Sequence, residues 1–414
     1  MLINRDFEIS SCDDYELKIR RDSLLKFRIT HDDTRQIKAL LFITPGLGGD
    51  ADSNYKDNLA GFVASNYDVG VVSVNYHCIG NRPQVGAGIA FDEFDCKILK
   101  QRCDEVGIWL DERIFSALND PVNAKNLLFY LDEELSIKKR QNALNDDFLL
   151  RISMSVYPTN GEYQNFGVMQ GLDLLNALLF IRKNVNFSQN GGGCGEIPAV
   201  LLGSSHGAYV SYMAAKMAPW LVSGVIDNSA YAVLPWQSIG FGKEIDYIKY
   251  PCAALKGNFN HIMGYFFDKT HWTLNPKSPH YFSESAEKIR DIYEPEHLKE
   301  MAKYNKPIFV SYHCNNDFIA PFEHKVALFN ELKNLGYDAT LYAITDENQV
   351  DGKFIKKLEH GMDMSLKTLI KRELNKMLDK ISQNTQNKRQ ISYKSAGKIY
   401  KFYEQNDKIL LDLI

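Results

Sequence analysis

Six short apolar runs constrain this chain more than anything else in it. Residues 37–44, 69–75, 199–203, 222–227, 308–313 and 340–344 are nearly unbroken in Leu, Ile, Val, Phe and Ala. A strand with one wet face alternates apolar and polar residues, whereas an unbroken run belongs to a strand covered on both sides. Helical periodicity falls between and after these runs, at 52–67, 170–183, 206–218, 321–336 and 362–381. Together they predict an α/β chain with a mostly parallel central sheet and helices on both faces. Before the first run, residues 6–10, 15–20 and 24–30 alternate and are broken by Asp-rich turns, so they read as edge strands antiparallel to one another.

The chain has 414 residues, 45% hydrophobic and 24% charged, enough for one large domain or two ordinary ones. Lys plus Arg is 48 and Asp plus Glu is 52, and a net charge of -4 offers no basic field to a phosphate backbone, so no nucleic-acid partner is expected. No apolar run approaches the ~20 residues needed to cross a bilayer, and no membrane partner is expected. The segment from Met1 to Asp14 carries Asp6, Glu8, Asp13 and Asp14 and lacks the basic flank and apolar block of a secretory signal, which points to the cytoplasm. The 7 cysteines are scattered without a C-x-x-C pair, the pattern of free thiols in a reducing compartment rather than of a metal site.

Two gaps exceed the roughly 30 residues of an ordinary strand-helix-strand unit. They predict cap insertions at about 79–163 and 229–304, with helices near 93–108 and 123–142. After residue 381 comes a polar linker and a tail, 382–414, whose Lys and Tyr mixture reads as a solvated or docked helix. The glycine clusters at 86–88 and 191–195 lack the following Lys-Ser/Thr of a phosphate loop and read as connections. Trp236, His271, Trp272, His280 and Tyr281 are either the core of the second insertion or the lining of a pocket suited to a sugar ring.

Gly203-Ser-Ser-His-Gly207 is the most informative string. It is a G-x-S-x-G sequence set directly after an apolar strand and directly before a helix. A nucleophile elbow requires that setting, because small flanking residues let strand and helix cross closely and leave Ser205 at the apex. A serine hydroxyl is a weak nucleophile at pH 7 and needs a base, itself oriented by a third group.

Gly203 to Gly207, Asn315 to Pro321 and Glu359-His-Gly361 resemble the corresponding parts of the α/β-hydrolase superfamily, in which nucleophile, acid and histidine follow in that order after successive strands. The resemblance spans residues 37–381 without the insertions and implies an α/β-hydrolase fold. It implies Asp317, in the loop after the run at 308–313, as the acid; a helix-capping Asp would suit that position too, and Asp227 at the end of the preceding strand is the competitor. It implies His360 as the base, ahead of the other nine histidines because it follows the last strand and precedes the last long helix. It implies an oxyanion hole from the backbone N–H groups of His206 and of Leu47 in Pro45-Gly-Leu-Gly-Gly49, with Gly48 the alternative because Pro45 stands where lipases often have His. The expected activity is cleavage of a carboxylic ester through an acyl-enzyme, with no metal or organic cofactor and a small-molecule or glycan ester as substrate. Peptidase, thioesterase and acyltransferase chemistry share the same constellation, and a non-catalytic binding protein on the same fold is the rival from another class. In its termini and insertions the chain also resembles an uncharacterised bacterial α/β-hydrolase-like family associated with flagellin glycosylation, which implies an acylated sugar as substrate.

Overall fold

The computed structural model describes residues 1–49, 54–187, 192–193, 197–235, 255–381 and 388–414. Its main sheet has eight strands: β1 (Leu2–Ile9), β2 (Leu25–Asp32), β3 (Ala39–Thr44), β4 (Val69–Asn75), β5 (Ala199–Ser204), β6 (Gly224–Asn228), β7 (Ile308–Cys314) and β8 (Ala339–Ile344). They lie in the order β1-β2-β4-β3-β5-β6-β7-β8. β1, β2 and β4 are joined antiparallel, and every later pairing is parallel. This is the mixed sheet of the α/β-hydrolase fold, and each of the six apolar runs has become one of its strands.

Alternate residues of the parallel strands explain the layering. Leu41, Ile43, Val200, Leu202 and Ile226 form one buried cluster with Val63 of α1 (Asn54–Asn66) and with Leu369, Leu374 and Met377 from the helix Leu366–Lys380. On the other parity, Leu40, Phe42, Leu201 and Val225 are equally buried. Here α2 (Val168–Asn184) packs on α3 (His206–Met217), and α3 packs on β3, β5 and β6. Both faces are therefore dry, which is why the strands do not alternate. α4 (Phe322–Asn334) lies between β7 and β8, and the helix Leu366–Lys380, α5, follows β8.

The chain divides into two compact units, one of them Gly80–Gln164 with Pro235–Tyr281. That unit has its own sheet, Leu255–Phe259, Ile262–Asp268, Leu150–Tyr157 and Gly88–Ala90 in that order, with helices Glu93–Glu105 and Pro121–Arg140. Leu99, Leu131, Leu135, Ile152, Met154 and Ile262 form its core. The first helix starts at a capping box, Asp92 accepting from the N–H groups of Phe94 and Asp95.

Three expectations are corrected. The second insertion is shorter than 229–304: Ser229 to Leu234 and Phe282 to Tyr304 group with the main sheet, because strand-end and helical contacts hold them there. Residues 15–20 are not a strand, since Asp14 Oδ1 accepts from the N–H groups of Glu16 and Leu17 and bends the chain, leaving one isolated Asp14–Ile19 bridge. The 382–414 segment is neither helix nor free tail. Residues 382–387 lie outside the described residues, and Gln390–Ser395, Lys398–Gln405 and Lys408–Leu413 form an antiparallel three-stranded sheet. It is fastened to the main unit by Tyr393 OH to Lys216 O at 2.5 Å, Ser395 Oγ to Ser285 O at 2.7 Å and Tyr400 OH to Glu16 Oε1 at 2.9 Å. Of the glycine clusters, Gly88 opens a paired strand, whereas 191–195 lies largely outside the described residues. Among the described residues no helix is long and apolar enough to cross a membrane, and Cys12, Cys96, Cys103 and Cys314 carry thiols outside any described disulfide.

Candidate active site

Ser205 forms the turn between β5 and α3. Its backbone sits at φ 54°, ψ −124°, a region that costs a non-glycine residue about 1–3 kcal/mol and persists only where the surroundings enforce it. Two glycines do so. A Cβ on Gly203 would lie 2.4 Å from the Ala208 nitrogen, and one on Gly207 would lie 2.2 Å from the Thr44 carbonyl oxygen. Backbone meets backbone at both places, so the sharp turn closes and presents the serine.

His360 comes from the loop between β8 and α5. Ser205 Oγ–H donates to its Nε2 at 2.7 Å. On the other side of the ring, Nδ1–H donates to the two oxygens of Asp317 at 2.9 and 2.8 Å. A carboxylate only accepts, which places the ring proton on Nδ1 and leaves Nε2 able to take the serine proton. Asp317, in the loop between β7 and α4, is buried, and its Oδ1 also accepts from the N–H groups of Ile319 at 3.1 Å and Ala320 at 2.8 Å. The imidazole is 15% exposed and the carboxylate 0%, so the ring meets solvent while the aspartate that supports it is dry.

Asp227 has other partners. Its carboxylate accepts from Lys325 Nζ at 2.7 Å, Ser311 Oγ at 2.7 Å, Tyr212 OH at 3.2 Å and the Ala230 N–H at 2.7 Å. Burial pulls Lys325 below the ordinary lysine range, with Asp227 opposing. His313, also buried, donates from Nε2 to Ala320 O at 2.7 Å and so braces the turn that carries Asp317. Burial first, and then Lys325, lowers His313 to about 4, so it is neutral at physiological pH.

The 45–49 loop lies against the elbow: a Cβ on Gly46 would be 2.9 Å from Ser204 O and 3.6 Å from Ser205 Cβ. Leu47 occupies a turn closed by Gly49 N–H to Gly46 O at 2.9 Å, and Tyr76 OH fixes Pro45 O at 2.7 Å. His206 is the first residue of α3, where backbone N–H groups have no helical acceptor. Its side chain is buried: Nε2–H donates to Gln170 Oε1 at 3.0 Å, and Nδ1 accepts from the Tyr231 hydroxyl. Gln170 Nε2 in turn donates to His77 O at 3.2 Å. Sequence reading missed Gln170, Tyr231 and Lys325, since nothing local distinguishes them from ordinary core polar residues, and it set His313 near the acid loop without giving it a role. It also passed over Asn228 and Ser229, which directly follow Asp227 and hydrogen-bond around the site.

Of the aromatic set, Trp236 lies outside the described residues. His271 packs edge-on to Tyr163 with centroids 4.4 Å apart, and Trp272 is buried. Both line a cavity of about 600 Å³ within the second unit, together with Asp92, Glu93, Lys269 and Asn275.

No curated protein matches the sequence. Solved structures similar to the chain include Est1E from Butyrivibrio proteoclasticus with ferulic acid bound, 12% identical, covering 86% of this chain and 95% of that one, TM-score 0.40. An esterase from Pyrobaculum calidifontis is 11% identical over 91% of this chain and 82% of its own, TM-score 0.42. The acylaminoacyl peptidase of Pyrococcus horikoshii is 10% identical over 94% of this chain but 43% of its own, TM-score 0.41. A family described as "Protein of unknown function (DUF2920)" matches residues 5–413, and the chain belongs to that family.

Proposed function

We propose that the protein is a serine hydrolase acting on a carboxylic ester. The observation that carries this reading is the continuous path from Ser205 Oγ through His360 to Asp317, with contacts of 2.7 and 2.8 Å. Ser205 attacks the ester carbonyl as His360 Nε2 takes its proton. Asp317 orients the ring and stabilises the imidazolium. The backbone N–H groups of Leu47 and His206 hold the oxyanion. The imidazolium then protonates the leaving alcohol, and water, activated by the same histidine, releases the acid and restores the serine.

A short acyl group on a polar alcohol, such as an O-acetyl sugar, is the proposed substrate class. The second unit carries a cavity of about 600 Å³ lined by the polar Asp92, Glu93, Lys269, His271 and Asn275 beside Trp272, a lining suited to a polar alcohol. A long acyl chain needs an apolar trough worth about 0.8 kcal/mol per methylene.

A fluorophosphonate probe tests the chemistry. Mass spectrometry should find the adduct on Ser205, and Ser205→Ala should abolish it. Labelling on Ser204, or none in folded protein, overturns the reading. Across chromogenic esters of two to twelve carbons, kcat/KM should peak at two to four, with acetylated sugars competing. A steady rise with chain length replaces the sugar-ester class by a lipid or thioester one.

A further inference from the structure

The end of β6 does more than supply Asp227. Asn228 and Ser229 are buried beside both reactive loops. From the nucleophile side, the Ser205 N–H donates to Asn228 O at 2.7 Å, and Asn228 Nδ2 donates to Ser204 Oγ at 3.1 Å. From the histidine side, both backbone polar groups of Gly361, the residue after His360, are held by the same pair. The Gly361 N–H donates to Ser229 Oγ at 3.1 Å, and Gly361 O accepts from Asn228 Nδ2 at 3.1 Å. Ser229 Oγ–H then donates to Asn228 Oδ1 at 3.2 Å and closes a ring of three hydrogen bonds.

The donors and acceptors of that ring fit in one arrangement only. Gly361 O and Asn228 Oδ1 accept, so the amide nitrogen must face Gly361 and the hydroxyl proton must face the amide oxygen. Ser229 is kept in place by its N–H, which donates to Tyr312 O at 3.0 Å, and by a left-handed backbone, φ 58°. A non-glycine residue is strained at that angle. Here it retains a side chain, and the hydroxyl of that side chain is what meets Gly361.

We propose that Asn228 and Ser229 are positioning residues that hold Ser205 and His360 in register, one through the main chain of the elbow and the other through the main chain of Gly361. Neither touches substrate. The inference rests on the serine-hydrolase reading and adds to it the part that sets the 2.7 Å contact between nucleophile and base. Displacements near 1 Å in such contacts cost up to about a hundredfold in rate.

Two variants of the full chain test it, with the parent protein alongside. Asn228→Asp keeps shape and the Oδ1 acceptor but replaces the donor to Gly361 O with an oxygen. Ser229→Gly removes the hydroxyl but suits the left-handed angle, so relief of backbone strain offsets part of the cost of the unpaired Gly361 N–H, and it decides the matter where it folds even if Asn228→Asp does not. Each should lower kcat by about ten- to a hundredfold with KM within about twofold, and should slow fluorophosphonate labelling of Ser205 by a similar factor. The double variant should lose no more than the worse single one, because one ring is broken in either case. Turnover within twofold of the parent in a folded variant, or a raised KM at unchanged kcat, overturns the proposal while leaving the serine-hydrolase reading intact. A parent that neither labels nor turns over esters removes both.

Discussion

Two aspartates at the carboxyl ends of neighbouring strands show how environment assigns a residue its work. Asp317 faces an imidazole, and Asp227 faces an ammonium buried with it, side chains 1% and 0% exposed. Asp317→Asn should therefore lower kcat by about 10³–10⁴-fold with little change in melting temperature, since the amide oxygen still accepts from Ala320 while the histidine loses its orienting charge. Asp227→Asn should do the reverse. It leaves the Lys325 charge uncompensated in the core at a cost of about 3 kcal/mol, read by chemical denaturation, with kcat of the remaining folded protein near the parent's. Strand-end placement made both candidates visible in the sequence. What separates them, the lysine on α4, is a tertiary contact 98 residues from Asp227 and has no local signature.

At the scale of elements, the C-terminal sheet carries the clearest energetic consequence. Tyr393 is fully buried and its hydroxyl is bonded to Lys216 O. Tyr393→Ala should destabilise the protein by about 3–5 kcal/mol, as large-to-small core changes of aromatic residues do, and Tyr393→Phe by about 1 kcal/mol, both measured by urea denaturation. The segment was misread as a helix although Ile391, Tyr393 and Ser395 are buried while Ser392 and Lys394 are exposed, the two-residue period of a strand. Its Lys and Tyr content masks that period. The parallel strands were legible because burial on both faces leaves an unbroken apolar run, which needs no knowledge of its partners. Leu150–Tyr157 alternates instead, and its parallel partner Ile262–Asp268 is more than a hundred residues further on, so the second sheet could not be read from either segment alone.

For the whole molecule, buried histidines set the acid limit. Burial lowers His297 to about 3 and His313 to about 4 from an ordinary 6.5. Below pH 6.5 the unfolded chain binds protons that the folded one refuses, so stability falls with pH until the folded values are reached. Each group contributes about 1.4 kcal/mol per pH unit well inside that window and nothing above it. Unfolding free energy should thus drop between pH 7 and pH 5, and His297→Gln, which keeps a donor for Lys394 O but does not titrate, should flatten the drop. An unchanged slope would exclude His297 as a source. Under the proposed serine-hydrolase reading, the distance along the chain between nucleophile and base sets an order of events during synthesis. Ser205 and His360 are 155 residues apart, so at ribosomal rates of about 5–20 residues per second the serine exists for roughly 8–30 s before its base has been made. Throughout that interval the newborn chain holds a hydroxyl without its imidazole partner, and the proposed ester cleavage should begin only when the loop beyond the last parallel strand has docked, so that the first turnover would serve as a clock for completion of the sheet.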